Sequence, residues 1–293
     1  MSLALLFPGQ GSQQVGMGKA LYEAFPAVRP FFETAERITG FPLRQLMFEG
    51  PAEALQRTSV TQPALYLHGY AVAYARAFTP QAVAGHSLGE FTALAVAGVI
   101  GFEEGLELVR IRAEGMQAAC DEKPSTMAAI IGLSETQVEA LCQEVSEGLV
   151  VPANYNSPGQ VVVSGEVAAV EAVIAKARAA GAKLAKKLAV NGAFHSPLMA
   201  SARARLAAAI EATSFQAPKV AVYPNVTGQA ERDPKRLQAL LIEQLTAPVR
   251  WTQTLQNMWA DGLRTFYELG PGNVLAGLVR RTLPEAVVAS YDS

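Results

Sequence analysis

Five residues, Gly85-His86-Ser87-Leu88-Gly89, combine a hydroxyl with a spacing that exposes it. They follow the apolar run Ala82-Val83-Ala84 and precede a helix-like segment, Glu90 to Ala97. Strand, tight turn and helix in that order make a nucleophile elbow. A Cβ two positions before or after the serine would crowd the turn, and glycine at 85 and 89 relieves it. The first N–H groups of the following helix lack intrahelical partners and face the same spot. One turn thus supplies both a nucleophile and an oxyanion donor. The alternative is a Gly-rich strand-to-helix turn with no chemistry.

A serine at neutral pH needs a base to take its proton. The chain has three histidines. His68 lies between Leu67 and Gly69 in a helical segment and reads as a core or surface residue. His86 adjoins the serine, where consecutive side chains diverge. Elimination favours His195, in Gly192-Ala193-Phe194-His195-Ser196-Pro197, as general base over a structural role. No Asp or Glu lies between Arg178 and His195 or close after it, so no orienting carboxylate is evident, and a backbone carbonyl could do that job instead.

Two further features bear on chemistry. Phe7-Pro8-Gly9-Gln10-Gly11-Ser12-Gln13 leaves an apolar run as a Gly-rich loop. It matches neither nucleotide signature, because Gln14 stands where a dinucleotide fingerprint needs glycine and Ala20 where a phosphate loop needs Ser or Thr. A backbone N–H near Gln10 either completes an oxyanion hole or belongs to a plain connecting loop. Arg112 has Leu108, Val109, Gly115 and Met116 as helical neighbours, an apolar face, whereas Arg110 has Glu107 and Glu114. A buried arginine needs a partner. Either a distant carboxylate or a ligand serves, and a ligand carboxylate would suit its planar fork.

The elements that must position these groups alternate in the first third. Leu3–Phe7 and Ala82–Ala84 read as strands. A helix opens at Thr61-Gln62-Pro63 and runs to about Phe78, and a second covers Phe102–Ala119. This is a parallel α/β pattern, with loops delivered at the carboxyl ends of strands. The middle differs: strand Met127–Gly132, a helix from the capping box Ser134/Gln137 to near Gly148, strands Leu149–Asn156 and Gln160–Ser164, helix Glu166–Ala180, and strand Lys183–Val190. Strand, helix, strand, strand, helix, strand is the ferredoxin-like order. The expected organisation is a large α/β domain, residues 1–122 and 191–293, with a small ferredoxin-like domain inserted over 123–190. After the insert come a helix over 197–213, a short strand Val220–Tyr223, and a final helix, strand and Gly-Pro-Gly turn at 270–272.

The bulk properties narrow the class. The chain has 293 residues, half of them hydrophobic and 17% charged, which describes a globular protein. A net charge of −2 offers no basic excess for nucleic acid. Cys120 and Cys142 lack metal-ligand or redox spacing and fit a reducing compartment. No stretch approaches the ~20 apolar residues of a membrane span, and Leu3–Phe7 is too short for a signal peptide. A cytoplasmic, soluble protein is the expectation.

Residues 7–13 (FPGQGSQ), 85–89 (GHSLG) with Glu90, Arg112 with Met116-Gln117, 154–165 (NYNSPGQVVVSG), His195-Ser196-Pro197, 248–251 (PVRW) and 268–275 (ELGPGNVL) together resemble the malonyl-CoA:acyl carrier protein transacylase family. The resemblance spans essentially the whole chain in the expected order. It implies a hydrolase-like parallel-sheet domain with a ferredoxin-like insert, and a serine acyltransferase of fatty acid synthesis. Ser87 would be acylated, His195 its base, the Gln10 and Leu88 amides the oxyanion donors, and Arg112 the grip on the malonyl carboxylate. The backbone carbonyl of Arg250 would orient the histidine, and Phe194 would crowd an α-methyl branch. Malonyl-CoA and acyl carrier protein would be the partners, with no cofactor, no metal, no membrane or nucleic acid, and a monomeric state. Lys183, Lys186 and Lys187 form either a carrier docking patch or an ordinary solvated strand edge. Rival readings are an acyl-thioester hydrolase, a discrete acyltransferase loading a polyketide synthase, and a non-catalytic carrier-binding module.

Overall fold

A computed structural model of the protein describes residues 2–293. Among these residues nine strands form two sheets: β1 Leu3–Phe7, β2 Ala82–Gly85, β3 Ser125–Ile131, β4 Val150–Ser157, β5 Gln160–Glu166, β6 Leu184–Lys187, β7 Ala221–Tyr223, β8 Thr265–Leu269 and β9 Val287–Tyr291. The larger sheet has the order β7-β2-β1-β8-β9, every pair parallel. Its central strands β1 and β2 are apolar on both faces because helices cover both. Leu5, Phe7 and Val83 face the helices Arg29–Thr39, Thr58–Arg76, Gly89–Val96 and Phe102–Glu122. Ala4, Leu6, Ala82 and Ala84 face Trp251, Leu255 and Met258 of helix Trp251–Ala260, and Leu275 and Leu278 of helix Val274–Thr282.

The smaller sheet, order β4-β5-β3-β6, is antiparallel throughout, which is the strand arrangement of a ferredoxin-like unit. Helices Glu135–Gln143 and Val167–Ala179 cover one face with their own apolar cluster, including Val138, Val161, Val170 and Val173. The opposite face is lined by Met127, Ala153 and Val162, with Leu188, Val190 and Phe194 against them. The two sheets are tied together along β4. Tyr155 N–H donates to the Val249 carbonyl at 2.9 Å, and Val249 N–H donates to that of Ala153 at 2.8 Å.

Several boundaries differ from the expectation. The helix expected from Thr61 starts at Thr58, because the Arg57 carbonyl accepts from both Val60 and Thr61 (2.8 Å each), so the nucleating turn precedes Pro63. The Ser134/Gln137 capping box is present, yet its helix stops at Gln143. The strand expected over 183–190 pairs only from Leu184 to Lys187. The segment after His195 begins as a 3₁₀ turn, Pro197–Met199, before helix Ala200–Ala212. Strand β9 has a weakly apolar, half-exposed pattern and carries little sequence signal. Glu268, at the end of β8, accepts from Leu275 N–H (3.0 Å) and Ala276 N–H (2.7 Å), which anchors the first turn of helix Val274–Thr282. No helix among the described residues is long and apolar enough to cross a membrane.

Candidate active site

The turn after β2 shows why its glycines are needed. A Cβ on Gly85 would lie 1.9 Å from the Gly89 carbonyl carbon and oxygen, and one on Gly89 would lie 2.0 Å from the Phe7 carbonyl oxygen. Backbone meets backbone at both places, so neither contact can give way. Ser87 between them has φ +54°, a left-handed conformation unusual for a residue with a Cβ. The loop after β1 packs flush on the turn: a Cβ on Gly9 would lie 2.5 Å from the His86 carbonyl oxygen.

His195, also at positive φ (+56°), meets the serine from the other side of the cleft. Ser87 Oγ–H donates to His195 Nε2 at 2.7 Å. The Nδ1 side fixes the tautomer, since Nδ1–H donates to the carbonyls of Gln244 (3.0 Å) and Ala247 (3.1 Å), which can only accept. The orienting group is therefore a main-chain oxygen, but not the one expected at Arg250. That carbonyl is occupied by Thr254 N–H and Thr254 Oγ1 (2.9 Å each), because Arg250 caps helix Trp251–Ala260. The 3₁₀ turn Gln244–Thr246 brings the two earlier carbonyls to the ring instead. Burial, with the Arg112 cation second, pushes the His195 imidazole down to about 3, so it is neutral at pH 7 and free to accept a proton.

Arg112 projects from helix Phe102–Glu122 and is 1% exposed. Its Nη1 donates to Gln62 Oε1 (2.8 Å), and its Nη2 donates to Ser87 Oγ (3.0 Å) and Gln244 Oε1 (3.3 Å). Of the two partners weighed for it, no carboxylate among the described residues hydrogen-bonds its guanidinium. Burial lowers its pKa to about 10, with Glu90 opposing, so it remains a cation at neutral pH. Arg110 two residues earlier pairs with Glu107 and Glu114, as the helical spacing predicts.

The other two histidines stand apart from the hydroxyl. His86 Nε2–H donates to Asn156 Oδ1 at 2.8 Å, with its ring edge against Trp251. His68 is fully buried, and its Nε2–H donates to the Asp292 carbonyl at 2.9 Å. Burial lowers it to about 4.

Along the turn, His86 N–H donates to the Phe7 carbonyl, Gly89 N–H to His86, and Glu90 N–H to Ser87. Among the described residues the amides of Leu88 and Gln10 have no acceptor. Gln10 lines the cleft and Leu88 follows Ser87, which lines it too; the cleft takes in Ser87, His195 and Arg112 on its polar side and Val162, Leu188 and Val274 on its apolar side, with a volume of about 270 Å³. Lys187 lies 3.7 Å from Glu171, and Lys183, Lys186 and Lys187 are outside this cleft lining.

Four site residues carry no motif-level signal in the reading above: Gln62, Glu90 in its buried role, Asn225 and Gln244. Each is a polar residue in apolar surroundings, and each is fully buried or nearly so. That burial belongs to the folded chain, and Asn225, outside any helix, has no helical spacing that could reveal it. Glu90 is raised to about 7 by burial, against hydrogen bonds from Gln244 and the Asn225 backbone and the charge of Arg112.

A carbonyl carbon placed over Ser87 Oγ would have a neutral base, two free amides and a cation within reach, which is the equipment for acyl transfer. Residues 4–292 match the family described as acyl transferase domain. The chain is 43% identical over 295 residues to the malonyl CoA-acyl carrier protein transacylase of Haemophilus influenzae, covering 99% of this chain and 95% of that protein. Among solved structures it is similar to the malonyl CoA-acyl carrier protein transacylase of Coxiella burnetii, with TM-score 0.97, 39% identity, and 100% and 94% of the two chains covered. It is also similar to a malonyl-transacylase solved in complex with its type II PKS acyl-carrier protein, with TM-score 0.96, 40% identity, and coverage of 100% and 96%.

Proposed function

Because the chain belongs to the acyl transferase domain family, we propose that it transfers a malonyl group from malonyl-CoA to the phosphopantetheine thiol of acyl carrier protein, for fatty acid biosynthesis, through a malonyl ester on Ser87. The observation that carries the reading is the double contact at one hydroxyl: His195 Nε2 at 2.7 Å and Arg112 Nη2 at 3.0 Å. A group that must be attacked at its carbonyl and held by its free carboxylate fits between a nucleophile and a cation so placed.

In the first step His195 Nε2 takes the Ser87 proton while Oγ attacks the thioester carbon. The amides of Leu88 and Gln10 hold the oxyanion, each donor being worth about 2.7–4 kcal/mol in the transition state. The C–S bond breaks and His195 returns the proton to the departing CoA thiol. In the second step the carrier thiol gives its proton to the same Nε2 and attacks the malonyl ester, and Ser87 leaves with that proton. Arg112 holds the carboxylate through both steps. The carbonyls of Gln244 and Ala247 keep the imidazole in one tautomer and carry no charge of their own. No resident cofactor or metal enters this scheme. We assign the parallel-sheet chemistry to residues 1–122 and 191–293 and the cleft's apolar wall chiefly to an inserted unit, residues 123–190, in a cytoplasmic monomer.

The test is intact-mass measurement after malonyl-CoA and again after carrier protein. The expected result is a malonyl adduct that maps to Ser87, persists in buffer and vanishes on adding the carrier thiol. An adduct that water removes as fast as it forms would identify a hydrolase instead. The likeness to a transacylase solved with a type II PKS carrier supports a second reading, loading of a polyketide synthase. Discharge rates on fatty-acid and polyketide carriers compared side by side separate the two.

A further inference from the structure

We propose that Asn225 is a positioning residue for this exchange, clamping the backbone of the serine turn, with Glu90 holding the clamp in place. The inference rests on the reading of Ser87 as the acylated residue. Asn225 lies two residues beyond β7, whose register with β2 runs from Ala82↔Ala221 to Ala84↔Tyr223. A side chain just past that register arrives beside the end of β2, where the turn begins. Asn225 is fully buried there. Its Nδ2 donates to the Gly85 carbonyl at 2.6 Å, and its Oδ1 accepts from Ser87 N–H at 2.7 Å.

The clamp is itself held. Asn225 N–H donates to Glu90 Oε2 at 3.0 Å, and the same carboxylate accepts from Gln244 Nε2 at 2.9 Å. Gln244 Nε2 also donates to the Ser87 carbonyl at 2.9 Å. Side chains from two distant segments therefore grip the amide and the carbonyl of the residue at φ +54°. A left-handed non-glycine conformation persists only where its surroundings over-determine it. A carboxamide suits this place because one rigid plane offers a donor to Gly85 and an acceptor to Ser87. Neither a carboxylate nor an aliphatic chain of the same size can do both.

The clamp also decides which amide is left for the substrate. With the N–H of Ser87 committed to Asn225, that of His86 to the Phe7 carbonyl, and those of Gly89 and Glu90 committed within the turn, Leu88 is the free donor next to the hydroxyl. Loss of the carboxamide releases a second, competing donor and lets the Ser87 peptide rotate.

The experiment compares Asn225→Ala and Asn225→Asp with the parent for the rate of Ser87 acylation by rapid quench and mass spectrometry, KM for malonyl-CoA, and thermal midpoint. Asn225→Ala is expected to slow acylation roughly a hundredfold, the scale of an ångström-sized misplacement of a reacting atom, with KM little changed. Asn225→Asp keeps the acceptor for Ser87 N–H and is expected to lose less. Its acylation should recover as pH falls, because a protonated carboxyl regains the donor toward Gly85. A purely structural role would not produce that acid-side gain. The proposal is overturned by a folded Asn225→Ala protein that acylates at the parent rate, by a change confined to KM, or by an Asn225→Asp profile parallel to the parent's. Should Asn225→Ala fail to fold, the Asn225→Asp pH profile decides. An adduct that still forms in Ser87→Ala would instead defeat the underlying reading, since failure of the clamp alone leaves the adduct on Ser87 at full rate.

Discussion

The two sheets build opposite sides of one cleft by different means. At the carboxyl ends of β1 and β2, backbone packs on backbone and nearly every polar group of the turn has a partner. Across from it, β3, β5 and the chain after β6 offer Met127, Val162, Leu188 and Val190, apolar side chains in ordinary contact. One side is specified atom by atom, and the other by shape and apolarity. Substitutions on the first side should therefore abolish bond making, while those on the second should alter how firmly an arm is held.

The largest expected effect is that of Gly89→Ala. Its Cβ would sit 2.0 Å from the Phe7 carbonyl oxygen, so β1 and the helix after the turn must separate. A destabilisation of about 4 kcal/mol or more is expected, with loss of the adduct, read by urea unfolding and labelling. A stable, fully labelled variant would break the contrast at its strongest point. Next comes Arg112→Ala. A charged hydrogen bond is worth about 1.5–3 kcal/mol, and an acetyl group leaves the buried cation unpaired besides. The malonyl-to-acetyl acylation ratio should fall by about a hundredfold. An unchanged ratio would remove Arg112 from selection.

The pH profile sharpens the same side. His195 sits near 3 in the folded protein against an unfolded value near 6.5. Its contribution to stability is present above pH 6.5 and lost as pH falls toward 3. Acylation should accordingly show no His195 limb near 6.5, and removing the Arg112 charge should move that limb upward. Glu90 runs the other way. Raised to about 7 from 4.5, its contribution is present below 4.5 and lost as pH rises through 7. A kcat/KM profile for Ser87 acylation with its acid limb centred at 6.5 would contradict the assignment of a depressed imidazole. The smallest effect is expected from Val162→Ala on the apolar wall, a rise in KM of up to about tenfold with kcat unchanged, from two lost methyl groups at ~0.8 kcal/mol each. A matching fall in kcat would mean that the wall also aims the thioester.

What the sequence revealed follows the same division. The turn glycines, the elimination of His68 and His86, and the apolar setting of Arg112 depend on local spacing, and the structure puts Ser87, His195 and Arg112 together. The parallel α/β pattern and the strand and helix sequence of the smaller sheet were likewise readable from short apolar runs and caps, whereas the half-exposed β9 was not. Asn225 and Gln244 reach Ser87 across 138 and 157 residues, and no local pattern encodes such a partner. The Arg250 expectation failed for a related reason. Motif position identified the right segment, but which carbonyl faces the imidazole depends on a 3₁₀ turn and a helix cap that only the folded chain displays.

The smaller sheet is tied to the rest of the molecule by hydrogen bonds between β4 and Val249, and one cleft leads to Ser87 between the two. Donor and acceptor then use one passage, like traffic on a single-lane bridge. Free CoA should compete with the carrier's free thiol arm for entry, and a surplus of either visitor should slow the exchange rather than speed it.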